Sequence, residues 1–183
     1  MDRHADAASR AAMASAPQRI LLPVRASTIA LSFAVALVAN FLPWKDVALV
    51  PDFVALVLAF WCVRQPRMVG LGVGWTLGLL TDAGNGVLLG QHALSYSLLA
   101  FGAVALSRRI LWFPVLQQAL HIAALLVGAE AVTLLVRLAA GAEFPGWSLL
   151  VGPLLGTALW PVVTFILLAP QRRAVEPDPA RPL

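Results

Sequence analysis

Six apolar runs, each about long enough to cross a bilayer, leave this chain few ways to fold. They cover approximately residues 26–43, 47–63, 68–81, 87–106, 112–140 and 147–169, with short loops between them. A spanning helix takes roughly 20 predominantly apolar residues. Inside hydrocarbon, every backbone amide must find a partner within the protein, so continuous runs of this kind fold as helices. Outer-membrane strands would instead alternate apolar and polar residues over segments of about 10 residues. Composition points the same way. Of 183 residues, 60% are hydrophobic and 12% charged, against roughly 25% charged in a soluble domain. That balance excludes a soluble enzyme and a disordered chain. The expected fold class is all-α: a polytopic integral membrane protein with six transmembrane helices in one bundle.

The interruptions support this division. Pro51 stands near the start of the second run, where a helix accepts proline. Arg64, Pro66 and Arg67 close that run, and Ser107–Arg109 close the fourth. Asp82–Gly86 reads as a turn, because Asp, Asn and Gly supply turn conformations. Gly141–Gly146 separate the fifth and sixth runs. Residues 1–25 are expected to form a polar cytoplasmic tail, 26–169 the membrane domain, and 170–183 a second cytoplasmic tail. The first run is long for a signal core and no cleavage site follows it, so it is taken as an uncleaved span.

Charge sets the orientation. Arg3, Arg10, Arg19, Arg25, Arg64, Arg67, Arg108, Arg109, Arg172, Arg173 and Arg181 all fall on one side of a six-span arrangement. Lys45 and Arg137 are the two exceptions among 13 basic residues. Cytoplasmic loops carry the basic excess, so both termini are expected in the cytoplasm of a bacterial inner-membrane, multi-pass protein. The net charge of +4 therefore reflects membrane topology, and no nucleic-acid partner is expected. Trp44, Trp112 and Trp147 fall near span ends, where aromatic belts lie.

The residues that could carry function are few. Gly70, Gly74 and Gly78 recur at four-residue intervals, which aligns three side-chain-free positions along one ridge. Their spacing is not that of a dinucleotide loop. Internal packing and docking of a second membrane protein both fit such a ridge, and it is the candidate partner-binding face. Asp82 continues the series one turn further. Its carboxylate is expected to cap the Gly84–Gly86 segment, with ligand or partner binding as the alternative. Glu130 and Arg137 share a helix face, about 10 Å apart along the axis. Glu130 is expected to face the bundle interior, while Arg137 can extend to the outer interface. Asp82, Gly86, Gly90, Glu130 and Arg137 are the candidate conformational or polar residues of the bundle. Gln117, Gln118 and His121 form a polar patch at the start of the fifth run. A lone Cys62 and three scattered histidines make no metal site, and no nucleophile elbow is present. No cofactor and no catalytic residue are expected.

These words, in this order, resemble the rod-shape-determining MreD family. The resemblance rests on Leu42-Pro43-Trp44, Pro51–Trp61, Pro66-Arg67 and the glycine-rich span. Gly78–Asp82, Gly86–Gly90, Gln117–Ala119 and Leu159-Trp160-Pro161 continue it, so that it covers about residues 26–173. It implies a non-enzymatic inner-membrane scaffold of the cell-wall elongation machinery, required for rod shape. Its implied partner is an MreC-like protein with a single span. Direct or indirect contact with MreB, RodA and a penicillin-binding transpeptidase is implied as well, alongside membrane lipids. The family's fold is similar to the substrate-binding subunits of energy-coupling vitamin transporters. That likeness supplies the alternative function, a vitamin-transporter subunit with Asp82, Asn85, His92 and Trp75 lining an outer pocket.

Overall fold

Backbone amides freed of water pair along the chain, and the result in this computed structural model is six α-helices, with no strand among the described residues. The structure describes residues 24–42 and 50–171. Most of both tails, Trp44 and Lys45 lie outside them. The helices are α1 (Ala26–Phe41), α2 (Phe53–Arg64), α3 (Leu71–Asn85), α4 (Gln91–Leu111), α5 (Val115–Ala139) and α6 (Val151–Leu168). A 3-10 turn, Trp147–Leu150, leads into α6 and another, Ala169–Gln171, follows it. Residues Arg25–Leu167 form one compact unit. A second comprises Met1–Val24 and Leu168–Leu183. Only Val24 and residues 168–171 of it are described.

Three helical segments, Gln91–Leu111, Val115–Ala139 and Trp147–Gln171, are long and apolar enough to cross a membrane. Ala26–Phe41 and Phe53–Arg64 are apolar but shorter. With 12 residues, α2 rises about 18 Å. Its position explains its composition. Every residue from Val54 to Val63 except Val57 is buried. A helix apolar all round belongs inside a bundle, and this one does. Phe60 packs edge-on to Trp61, with ring centroids 5.0 Å apart, and against Trp160 of α6 at 6.0 Å. Trp61 donates its indole N–H to Ser32 Oγ of α1 at 2.8 Å. Helix α4 packs along α3, α5 and α2.

Several element boundaries differ from those the apolar runs suggest. Asp82–Asn85 are helical, and α3 ends only at Gly86, which adopts φ +63° as its left-handed cap. Val87–Leu89 are apolar yet stand in the loop before α4, and all three are exposed. Gly90, at φ +100°, then opens α4. At the other end, Ser107–Arg109 continue α4 to Leu111. Nothing in that stretch breaks a helix before Pro114, and Arg108 and Arg109 suit the negative end of a helix dipole. Trp112 and Trp147 stand at opposite ends of α5, with 90% and 79% of their surfaces exposed. That is the place for belt residues.

Candidate functional site

Two aspartates organise one end of the bundle. Asp52 precedes α2, where four backbone N–H groups lack helical partners. Its Oδ1 accepts the Ala55 N–H at 3.0 Å, the bond an N-cap makes. The same oxygen accepts from Asn40 Nδ2 at 2.9 Å. Asn40 Oδ1 in turn accepts the Phe53 N–H at 3.0 Å. Asp52 Oδ2 accepts the Tyr96 hydroxyl at 2.5 Å. One carboxylate thereby ties the end of α1, the start of α2 and the side of α4.

Asp82 does the corresponding work between α3 and α4. Gly90 holds the N-cap position of α4 and has no side chain to cap with. Asp82, fully buried, supplies the cap from the neighbouring helix. It accepts the Gly90 N–H at 2.9 Å, the His92 N–H at 3.0 Å and, more weakly, the Ala93 N–H at 3.4 Å. His92 Nδ1 also lies 2.7 Å from Asp82 Oδ1 and donates to it. The expected capping role thus falls on the next helix. The Gly84–Gly86 amides are used within α3 and its turn, where Gly86 N–H reaches Ala83 O. The positive φ of Gly86 and Gly90 reverses the chain so that residues 90–93 meet Asp82.

The glycine ridge is used inside the chain. A Cβ on Gly74 would sit 2.7 Å from the Tyr96 carbonyl oxygen, and one on Gly78 would overlap the Ala93 backbone. Both glycines are buried by α4. Gly70 precedes α3 and has open space around it.

Between these caps and the last two helices lies a cavity of about 220 Å³. The start of α2 contributes Asp52 and Ala55, α4 contributes His92, Ser95 and Tyr96, α5 contributes Ala129, Glu130 and Thr133, and the Ser148–Gly156 stretch closes it. Glu130 is among the residues that line this cavity. Arg137, seven positions on, is exposed and does not line it. Of the four residues suggested for an outer pocket, His92 lines the cavity, whereas Asp82, Asn85 and Trp75 do not. Asp82 reaches it only through His92. Ser95 Oγ donates to the Ala129 carbonyl at 2.7 Å, which locks α4 to α5 beside Glu130. At the other end of the bundle, Gln118 Nε2 donates to the Phe113 carbonyl at 2.8 Å. His121 stacks on Phe113 at 5.0 Å.

Asp52, Asn40 and Tyr96 were not among the residues singled out from the sequence, though two signals existed. Asp52 follows a proline and precedes a wholly apolar run, the signature of an N-cap. Tyr96 is the single tyrosine of the chain and stands inside a span, where its hydroxyl needs a partner.

The comparisons with known proteins agree with one another. The family described as rod shape-determining protein MreD matches residues 19–169. A rod shape-determining protein MreD of Haemophilus influenzae is 31% identical over 155 residues, which span 81% of this chain and 93% of that protein. No solved structure matches.

Proposed function

The chain belongs to the rod shape-determining protein MreD family, and from that premise we propose that it is a non-enzymatic inner-membrane scaffold of cell-wall elongation that docks an MreC-like protein. Family membership already gives it a part in rod shape determination. The observation that carries the finer reading is the extent of the match, which runs across all six described helices rather than over one motif. The chain crosses the membrane six times, with both termini in the cytoplasm. Its short helices α2 and α3 reach across with their flanking segments. The loops bearing Arg64, Arg67, Arg108 and Arg109 face inward, and the cavity end faces outward.

Docking within a bilayer depends on close backbone approach rather than on a hydrophobic drive. Gly74 and Gly78 are covered by α4 and offer no such approach to a partner. On α5, Ala124, Gly128 and Ala131 are exposed along one side, and nothing lies within 4 Å of a Cβ at Gly128. This small-residue face is the docking surface for the partner's span. Gly128→Leu should reduce co-purification of the MreC-like protein severalfold while leaving the monodisperse behaviour of the chain unchanged. Depletion of the chain should round rod-shaped cells. Unchanged rod shape on depletion, with no MreC-like protein recovered on the wild-type chain, would overturn the scaffold reading. Full recovery on the Gly128→Leu variant would move the interface elsewhere.

A further inference from the structure

The charges of the bundle are sorted by end. Among the described residues the carboxylates are Asp52, Asp82, Glu130 and Glu143, and all four stand towards the end that carries the cavity. The opposite end holds Arg67, Arg108 and Arg109, which are exposed and form no ion pair among the described residues. The side chains of both tails sum to a positive charge, so the tails bring no surplus of carboxylates. Arg108 and Arg109 stand in the last turn of α4, and Trp112 follows one turn after Arg108. The partial negative charge of a helix C-terminus is about half a unit, which offsets only a fraction of two guanidiniums.

The helical repeat puts Leu98, Phe101, Arg108 and Trp112 within one face of α4, about 80° wide. All four are exposed. From Arg108 back to Leu98 the helix rises about 15 Å, half of a hydrocarbon core of about 30 Å. The face therefore has the profile of one bilayer leaflet, with a cation at headgroup depth, an indole in the belt and an apolar track beneath them. Arg67 joins it from the neighbouring helix. Helix α3 lies antiparallel beside α4, with Gly78 against Ala93 and Gly74 against Tyr96. Continued along both chains, that register brings the corner before α3, with Arg67, alongside the last turns of α4 and Arg108. We infer that this corner binds an anionic phospholipid, its phosphate between Arg67 and Arg108 and an acyl chain along Phe101 and Leu98. Guanidinium and phosphate match in charge and in bidentate geometry. A lipid, unlike a soluble phosphate or an acidic peptide, also uses the apolar track. The inference does not depend on the scaffold role, and it concerns whichever leaflet the arginines meet.

The test uses the full chain in detergent. Native mass spectrometry would read which lipid it retains from an equal mixture of phosphatidylglycerol and phosphatidylethanolamine. Phosphatidylglycerol should be retained about tenfold over phosphatidylethanolamine. The double variant R67Q/R108Q should bring that ratio close to one. R137Q removes an exposed arginine at the other end of the bundle and should leave the ratio unchanged. A ratio near one in the wild type overturns the inference, and so does an unchanged ratio in R67Q/R108Q or an equal loss in R137Q. Inorganic phosphate and poly-glutamate, at the lipid's concentration, should not displace it. Displacement by phosphate would reduce the corner to an anion site, displacement by poly-glutamate would assign it to an acidic protein, and either would overturn lipid docking. A second measurement covers the case in which the double variant does not fold. On the wild-type chain, phosphatidylglycerol should raise the unfolding temperature more than phosphatidylethanolamine, by a margin that shrinks as salt screens the charges. A margin that is absent, or that salt leaves untouched, would sink the idea.

Discussion

Asp82 shows how much one side chain can decide. It accepts three backbone hydrogens and one imidazole hydrogen at the start of α4. Removing a buried acceptor strands its donors, which costs about 1–3 kcal/mol and more where a charge is involved. Asp82→Ala should therefore lower the thermal unfolding midpoint in detergent clearly. Asp82→Asn keeps one acceptor oxygen and the side-chain shape, so it should lose distinctly less. A midpoint for Asp82→Ala equal to that of the wild type would show that the cap is not what holds α4 in place. Type and position made Asp82 legible in the sequence as a cap. Its partners were not legible, because they lie eight to eleven residues ahead. They come within reach only through two left-handed glycines, Gly86 and Gly90. Asp52 was less visible still. Its bond to Tyr96 spans 44 positions, and no local pattern encodes a contact of that range.

At the scale of the element, α3 and α4 meet through absent side chains. The four-residue spacing of Gly70, Gly74 and Gly78 suggests a ridge, but spacing cannot say which neighbour occupies it, and only Gly74 and Gly78 meet one. The answer is α4 of the same chain, because Gly78 lets the Ala93 backbone approach closer than any Cβ would allow. Gly72 lies on the same helix with open space around it. The two positions therefore predict opposite signs. Gly78→Ala forces the helices apart, an overpacking cost of about 1–3 kcal/mol. Gly72→Ala meets no neighbour and only improves helix propensity, a gain below the roughly 0.8–1.0 kcal/mol of a helix interior because Gly72 lies in the first turn of α3. Thermal unfolding of the two variants side by side checks both. A stabilising Gly78→Ala would contradict the packing described here. Helix boundaries were read less well than helix existence, and the reason is physical. Near a membrane surface an apolar residue can stand in a loop, as Val87–Leu89 do. Charged residues can also stand in a helix, as Arg108 and Arg109 do. Hydropathy marks the slab that a segment occupies, whereas the helix follows its caps and breakers.

For the molecule as a whole, alternating helix directions put one set of loops at each end of the bundle. The corners bearing Arg64 with Arg67, and Arg108 with Arg109, share one end. The α3–α4 turn, the Gly141–Gly146 loop and the cavity share the other. Arginines near span ends favour the cytoplasmic side, so the cavity should open outward. Reporter fusions test this directly. Phosphatase joined after Gly141 should be active, because that residue ends the turn following α5. Phosphatase joined after Phe113 should be silent. Position 113 is the appropriate site because Ser107–Arg109 lie inside α4, and a fusion there would sever the helix before it completes its crossing. The converse pattern would invert the molecule and place the cavity on the cytoplasmic side. It would also remove the positive-inside argument for both termini, since the four loop arginines would then face outward. Activity at both sites would mean that α5 fails to cross, and the six-span arrangement would fall with it.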